Sequence, residues 1–315
     1  MTTESDAGRA DVSASEFEAL FLALRSWGRW GEDDERGALN YLDTERVAAA
    51  ARLVRTGLTV SLAWTWDTSA GPDNPQPAVH RMTAYGGDES RRGPIQFAKD
   101  YVGIDYHIDT HTHIDALCHV SYDGSLYNGI PAGAVTSTGA TAESIEVLND
   151  GLAGRGVLLD IPRLRRVPWL EPGDHVFLED LEQAESEQGV TVGEGDILLV
   201  RTGHARRLAE LGPWDTADAK AGLHPTAMRF VADRGVAVLG SDGNSDTAPS
   251  STEGIAFPIH VLAITAMGVH LLDYLRLEDL LAACERVARW EFFFVAAPLR
   301  IAGGTGSPLN PIAIL

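Results

Sequence analysis

Only two cysteines occur in the 315 residues, Cys118 and Cys284. Two thiols cannot make a disulfide framework, and no paired-cysteine spacing exists to hold a thiolate zinc cage. No apolar run approaches the roughly 20 residues that a membrane-spanning helix requires. The opening Met-Thr-Thr-Glu-Ser-Asp-Ala-Gly lacks the basic and then apolar pattern of an export signal, so a cytoplasmic location is the default expectation. Basic residues are scarce too: 25 Lys and Arg stand against 45 Asp and Glu, a net charge of −20. That balance argues against nucleic acid and against an anionic membrane as partners, which basic patches would serve. A small-molecule substrate is left as the expected partner.

What is present is ordinary for a globular chain, with 44% hydrophobic and 22% charged residues. The length suffices for one large core. Residues 1–12 are polar and read as a flexible N-terminus, with 13–315 as a single domain. Ser15 and Glu18 form a capping-box pattern ahead of Phe17, Leu20, Phe21 and Leu24, which predicts a helix ending near Gly28. A second helix is expected from Thr44 to Arg55. Leu58, Val60, Leu62, Trp64 and Trp66 alternate as a half-buried strand does, and residues 68–95 read as a long irregular loop. From residue 155 onward, uninterrupted apolar runs (156–160, 196–201, 236–241 and 291–297) alternate with helical stretches near 176–188, 225–234, 258–267 and 276–287. That alternation predicts an α/β fold with doubly covered strands.

One segment stands out chemically. Residues 107–119 hold four of the chain's ten histidines and two aspartates, all at odd positions. In an extended strand, side chains alternate faces, so His107, Asp109, His111, His113, Asp115 and His119 can share one face. A row of imidazoles and carboxylates is costly to bury as packing. It suits a divalent metal held by nitrogen and oxygen, Zn²⁺ or Mn²⁺. The plain alternative is a solvated polar strand, which so dense a cluster disfavours. Cys118, on the other face, reads as a small buried hydrophobe.

The segment Thr112-His-Ile-Asp-Ala-Leu-Cys-His119 resembles the H-x-G-T-H-x-D-x-P-x-H signature of the cyclase family, which includes bacterial kynurenine formamidases and isatin hydrolases. Trp30-Gly-Glu-Asp-Asp-Glu-Arg-Gly-Ala-Leu-Asn40 is similar to that family's N-terminal block. Later blocks follow in order at Arg155–Asp160, Gly195–Gly203, Gly240–Asp242, Pro258–His260, Ala297–Arg300 and Gly303–Pro308, so the resemblance covers about residues 27–315.

The resemblance implies a swivelling β/β/α fold, built into homodimers or homotetramers. It makes His113 and Asp115 metal ligands. The family's first motif histidine falls on Asp109, and His107 or His111 can take that place instead, so the third ligand stays open. His119 matches the last motif histidine, a catalytic acid/base or a further ligand. His260 matches a histidine that pairs with a carboxylate one helix later, here Asp273 in place of Glu; in some relatives the pair holds a second metal. Asp242 at a strand end is a weaker candidate, Arg201 reads as a structural ion-pair partner, and Trp64, Trp66 and His80 are candidates for a pocket mouth. Gly303-Gly-Thr-Gly lacks the setting of a phosphate loop and reads as a turn.

These readings together imply a metal-dependent hydrolase of an amide, cyclic amide or lactone-type carbonyl, with His119, or His260 paired to Asp273, moving protons. Two rivals stand beside it. One is a metal-assisted cyclase or lyase acting on a natural-product intermediate. The other is a member that binds a metal or small molecule without turnover.

Overall fold

Runs that are apolar without interruption fold as strands covered on both faces. In the computed structural model, which describes residues 11–86 and 94–315, Leu152–Asp160, Ile197–Arg201, Val238–Ser241 and His270–Asp273 lie side by side and parallel. Ile197–Arg201, Val238–Ser241 and His270–Asp273 are buried at every position, as strands between two covering layers must be. Antiparallel strands extend this centre into one nine-stranded sheet. Its order is Thr59–Ser61, Ile312–Ile314, Glu291–Ala296, Leu152–Asp160, Ile197–Arg201, Val238–Ser241, His270–Asp273, His113–Asp115 and Gly306–Pro308.

Helices return the chain between the parallel strands: Leu178–Gln188, then Met228–Arg234, then a helical segment starting at Pro258. The last opens as one α-helical turn, Pro258–His260, and continues as a π-helix over Val261–Ala266. Such wide turns recur where a helix must place a side chain at a functional site, and His260 stands at the junction. The N-terminal block is tied in by close backbone approach. Gly37 adopts a positive φ of 55°, and a Cβ there would come within 2.1 Å of the Gly268 carbonyl oxygen. Only glycine fits. The Ala38 N–H then donates to that same carbonyl at 2.8 Å.

Several expectations need correction. The first helix is Ala14–Leu24, and its capping box joins Ser13 to Glu16 instead of Ser15 to Glu18. Thr44–Ala51 is capped by Asp43 and ends before Arg55. Residues 1–10 of the flexible stretch lie outside the described residues, but Val12 at its end is fixed. It is buried and its N–H donates to Ser251 O at 2.9 Å. The first strand stops at Ser61, short of Trp64 and Trp66. The expected loop at 68–95 contains the strand Val79–Ala84, which pairs antiparallel with Lys99–Gly103; residues 87–93 lie outside the described residues. Among the described residues no helix is long and apolar enough to cross a membrane.

Candidate metal centre

The His113–Asp115 strand sits between His270–Asp273 and Gly306–Pro308, in a register that sets His113 beside Asp273 and Asp115 beside Gly306. Asp273 closes a parallel strand, so the cluster collects at the carboxyl ends of the parallel strands, where open α/β sheets bind ligands. The expectation of one continuous strand over 107–119 is corrected here. Only His113–Asp115 is strand; residues 107–112 run through turns, and Leu117–His119 form a short 3₁₀ turn. Convergence comes from the chain folding back, with strand alternation placing His113 and Asp115 alone.

Around Asp115 the geometry is tight. Asp115 Oδ1 lies 2.9 Å from His107 Nδ1, 3.5 Å from His113 Nε2 and 4.0 Å from His119 Nε2. Asp115 Oδ2 lies 3.5 Å from His260 Nε2, which is also 3.3 Å from Asp273 Oδ2. Each ring is held from behind. The His113 Nδ1–H donates to the His111 carbonyl at 2.6 Å, leaving Nε2 as the lone-pair face. His107 Nε2 meets Thr305 Oγ1 at 3.0 Å. His260 Nδ1 meets Asp246 Oδ2 at 2.5 Å, while Ile259 and His260 N–H donate to the same carboxylate. Ser245 Oγ donates to Asp273 Oδ1 at 2.9 Å. Gly306 leaves room for this: a Cβ on it would stand 2.9 Å from His107 Cε1 and 2.4 Å from the Ile114 carbonyl oxygen.

The donor set fits a divalent cation. Asp115 is wholly buried, yet among the described residues neither of its oxygens finds a hydrogen-bond donor of sound geometry, and Asp273 Oδ2 is equally unpartnered. Buried carboxylate oxygens without donors are costly unless a cation faces them. The ligand atoms of His107, His113 and Asp115 lie within 4.8 Å of one another, as do those of Asp115, His260 and Asp273. Nitrogen and carboxylate oxygen without thiolate suit Zn²⁺ or Mn²⁺.

The electrostatics are those of a buried polyvalent site. Burial alone would raise the Asp115 pKa, but His119 and His113, with His107 and His260 close beside it, pull it well below the ordinary carboxylate value. Burial likewise works against charge on His260; the Asp115, Asp246 and Asp273 carboxylates around it prevail and raise it well above the usual imidazole value. Burial lowers His119 to about 4, with Asp115 opposing and the neighbouring histidines adding to the fall.

Two of the residues offered as ligands lie elsewhere. The Asp109 carboxylate takes the Lys220 ammonium at 2.6 Å and the Asn244 amide at 2.9 Å. The His111 side chain is buried apart from both groups, its pKa lowered by burial and then by His113; it serves the site through its carbonyl. Cys118 is buried and its thiol is pushed up to about 12, first by burial and then by Glu143, in keeping with its reading as a small hydrophobe.

A cavity of about 580 Å³ opens over the cluster, with His107, His113, His119 and His260 on its floor. Its walls are largely apolar, from Val120, Ile255, Phe257, Val261, Pro72 and Pro75, and no lysine or arginine among the described residues lines it. Trp64, Trp66 and His80 are not among its lining either; His80 pairs with Asp100 at 2.9 Å on the surface. Asp242 is spent on structure, accepting from Thr202 N–H and Oγ1 and from the Gly203 and His204 amides. Arg201 is buried between Asp160 and Glu278, as an ion-pair partner. Sequence reading missed Ser245, Asp246 and Lys220. The available signal was the polar run Asp242-Gly-Asn-Ser-Asp246 directly after an apolar strand, where functional loops gather.

Comparison with known proteins agrees with this architecture. A crystal structure described as that of a novel cyclase is 36% identical, with alignment over 94% of this chain and 99% of its own, and a TM-score of 0.86. An isatin hydrolase bound to the product analogue thioisatinate is 19% identical over 87% of this chain and 99% of its own, TM-score 0.57. Isatin hydrolase A from Labrenzia aggregata, bound to benzyl benzoate, is 23% identical over 84% and 94%, TM-score 0.56. The likeness to these two is one of fold, the α/β type with a large curled sheet. No curated protein sequence shows significant similarity to the chain. The putative cyclase family matches residues 44–246, a span that takes in the whole of the 107–119 cluster together with Asp246, and the chain belongs to the cyclase family.

Proposed function

We propose that this protein is a metal-dependent hydrolase of an uncharged amide, cyclic amide or lactone-type carbonyl with an apolar body. The observation that carries the reading is Asp115. It is a buried carboxylate with no hydrogen-bond donor among the described residues, shared between a His107/His113 pair and a His260/Asp273 pair at the floor of a cavity.

His107, His113 and Asp115 would hold one cation, and Asp115, His260 and Asp273 a second. The carbonyl of His111, Thr305, Asp246 and Ser245 hold these ligands in register, as outer partners of metal ligands do. A bound Zn²⁺ or Mn²⁺ supplies a nucleophile at neutral pH and polarises the carbonyl. His119 is the remaining imidazole with a face on the cavity, about a quarter exposed. Burial keeps it neutral at neutral pH, so it accepts the proton of the attacking water and returns it to the leaving nitrogen or oxygen. His260, enclosed by three carboxylates, fits a ligand's place better than a proton carrier's. The walls carry no lysine or arginine among the described residues, and their apolar surface matches a substrate with a neutral, apolar body.

The test is turnover in ¹⁸O-labelled water by protein reconstituted with Zn²⁺ or Mn²⁺, against a panel of aromatic amides, cyclic amides and lactones. One ¹⁸O in the product carboxylate supports hydrolysis. Product formed without label points instead to the lyase or cyclase reaction. Metal retained without turnover across the panel leaves a binding protein.

A further inference from the structure

The position where the cyclase signature carries its first histidine is Asp109 here, and the structure gives this residue a different task. Asp109 ties three loops together. Its Oδ2 meets Lys220 Nζ at 2.6 Å, its Oδ1 accepts from Asn244 Nδ2 at 2.9 Å, and its carbonyl accepts from Thr216 Oγ1 at 3.1 Å. Lys220 is almost fully buried, with 3% of its side chain exposed. It is fixed by its own backbone, which exchanges two hydrogen bonds with Ala248 at 3.0 Å each.

What the three loops carry makes this bracing significant. Two residues before Asp109 stands His107, which faces Asp115. Directly after Asn244 come Ser245, which holds Asp273, and Asp246, which holds His260. The Asp109–Asn244 hydrogen bond therefore joins the loop of one ligand group to the loop that orients the other. An ammonium buried against a carboxylate at this distance is a rigid strut, because separating the two would leave an unpaired buried charge.

We propose that Asp109, with Lys220, is a positioning residue that sets His107 and the His260/Asp273 pair at their mutual distance, and that the ligand role of this motif position has moved upstream to His107. This rests on the metal-centre reading above. It goes beyond that reading in giving the signature position a new role and in coupling the two ligand groups through it.

The experiment is titration of metal-free protein with Co²⁺, following the ligand-field absorption and the stoichiometry, with the melting temperature as a check on folding. His107→Ala should lose the band of one ion and its tight binding. Asp109→Asn and Lys220→Met should keep the stoichiometry and the band position while affinity falls, by about 10- to 100-fold for outer partners of metal ligands. The double variant should bind no more weakly than either single one, since both act through one strut, and Lys220→Arg should recover most of the affinity. Should Lys220→Met unfold, the isosteric Asp109→Asn still decides. The proposal is overturned if Asp109→Asn loses one ion or shifts the band while His107→Ala does neither, which would make Asp109 the ligand. It is also overturned if both strut variants bind as tightly as the wild type. Wild-type protein that binds no Co²⁺ would overturn the metal-centre reading itself, and this proposal with it.

Discussion

His107 and His119 stack face to face, with ring centroids 3.9 Å apart and planes inclined by only 4°. Burial, with the neighbouring histidines adding to it, lowers His119 to about 4, so the ring that stacks on His107 is neutral at neutral pH. The partners divide their work. His107 turns its Nδ1 to Asp115 at 2.9 Å with its Nε2 held by Thr305, whereas the His119 Nε2 stands back from Asp115 at 4.0 Å.

From that division follows the first prediction. His119→Ala should retain its metal, measured by elemental analysis, yet lose turnover by about 100- to 10,000-fold, the usual contribution of a positioned acid/base. Undiminished turnover would remove His119 from the reaction.

His113→Ala should behave differently. It removes an imidazole that faces the shared carboxylate, so metal content and activity should fall together. The wild type should gain thermal stability from added Zn²⁺ or Mn²⁺ and lose it to a chelator, because a ligand that binds only the folded state stabilises it. The variant's melting temperature should respond less than the wild type's to either treatment, since the Asp115/His260/Asp273 group is left intact. A metal-dependent shift equal to the wild type's would show that His113 is no ligand.

Gly306→Ala tests how tightly His107 is seated. The added methyl would stand 2.9 Å from the His107 ring and 2.4 Å from the Ile114 carbonyl oxygen, where backbone cannot yield cheaply. Overpacking of this kind costs about 1–3 kcal/mol. The variant should melt lower and bind metal more weakly, and an unchanged affinity would mean that the ring has room to shift.

Glu143 gives a pH prediction away from the site. It is wholly buried, neither carboxyl oxygen has a hydrogen-bond partner among the described residues, and burial, followed by Glu35 and Asp34, pushes its pKa up to about 9. Between the ordinary carboxyl value and about pH 9 the unfolded chain releases this proton while the folded one keeps it. The folded state binds more protons, so stability falls as pH rises through that window, by up to about 1.4 kcal/mol per unit. Glu143→Gln should flatten that slope relative to the wild type in urea unfolding between pH 5.5 and 8.5. Parallel profiles would show that Glu143 is ionised in the folded protein.

The sequence was most legible where burial left a continuous mark. The strands Ile197–Arg201 and Val238–Ser241 read as apolar runs because both their faces are covered. His113 and Asp115 were legible as a pair because strand alternation does place them together. His107 was only one of three choices for the third ligand, since its approach depends on how residues 107–112 turn, and that is settled by Gly306 and Thr305 about 200 residues away. The strand Val79–Ala84 escaped notice because its first five residues are exposed on both faces, so no alternation marks it. Asp246 stood in a polar run after an apolar strand, but its partner His260 was fixed only by the folding of the chain.

The cavity over Asp115 is walled by apolar side chains, and the charged groups other than histidine that line it, Asp109 and Asp215, are acidic. On the proposed reaction a neutral molecule enters and a carboxylate is formed inside. The entering compound meets no electrostatic barrier at the walls, whereas the anion left behind finds no lysine or arginine among the described lining residues and would be held only at the floor, by the cations proposed there. Release of the acid would then rest on exchange at those cations, and accumulated acid would compete with fresh substrate for them.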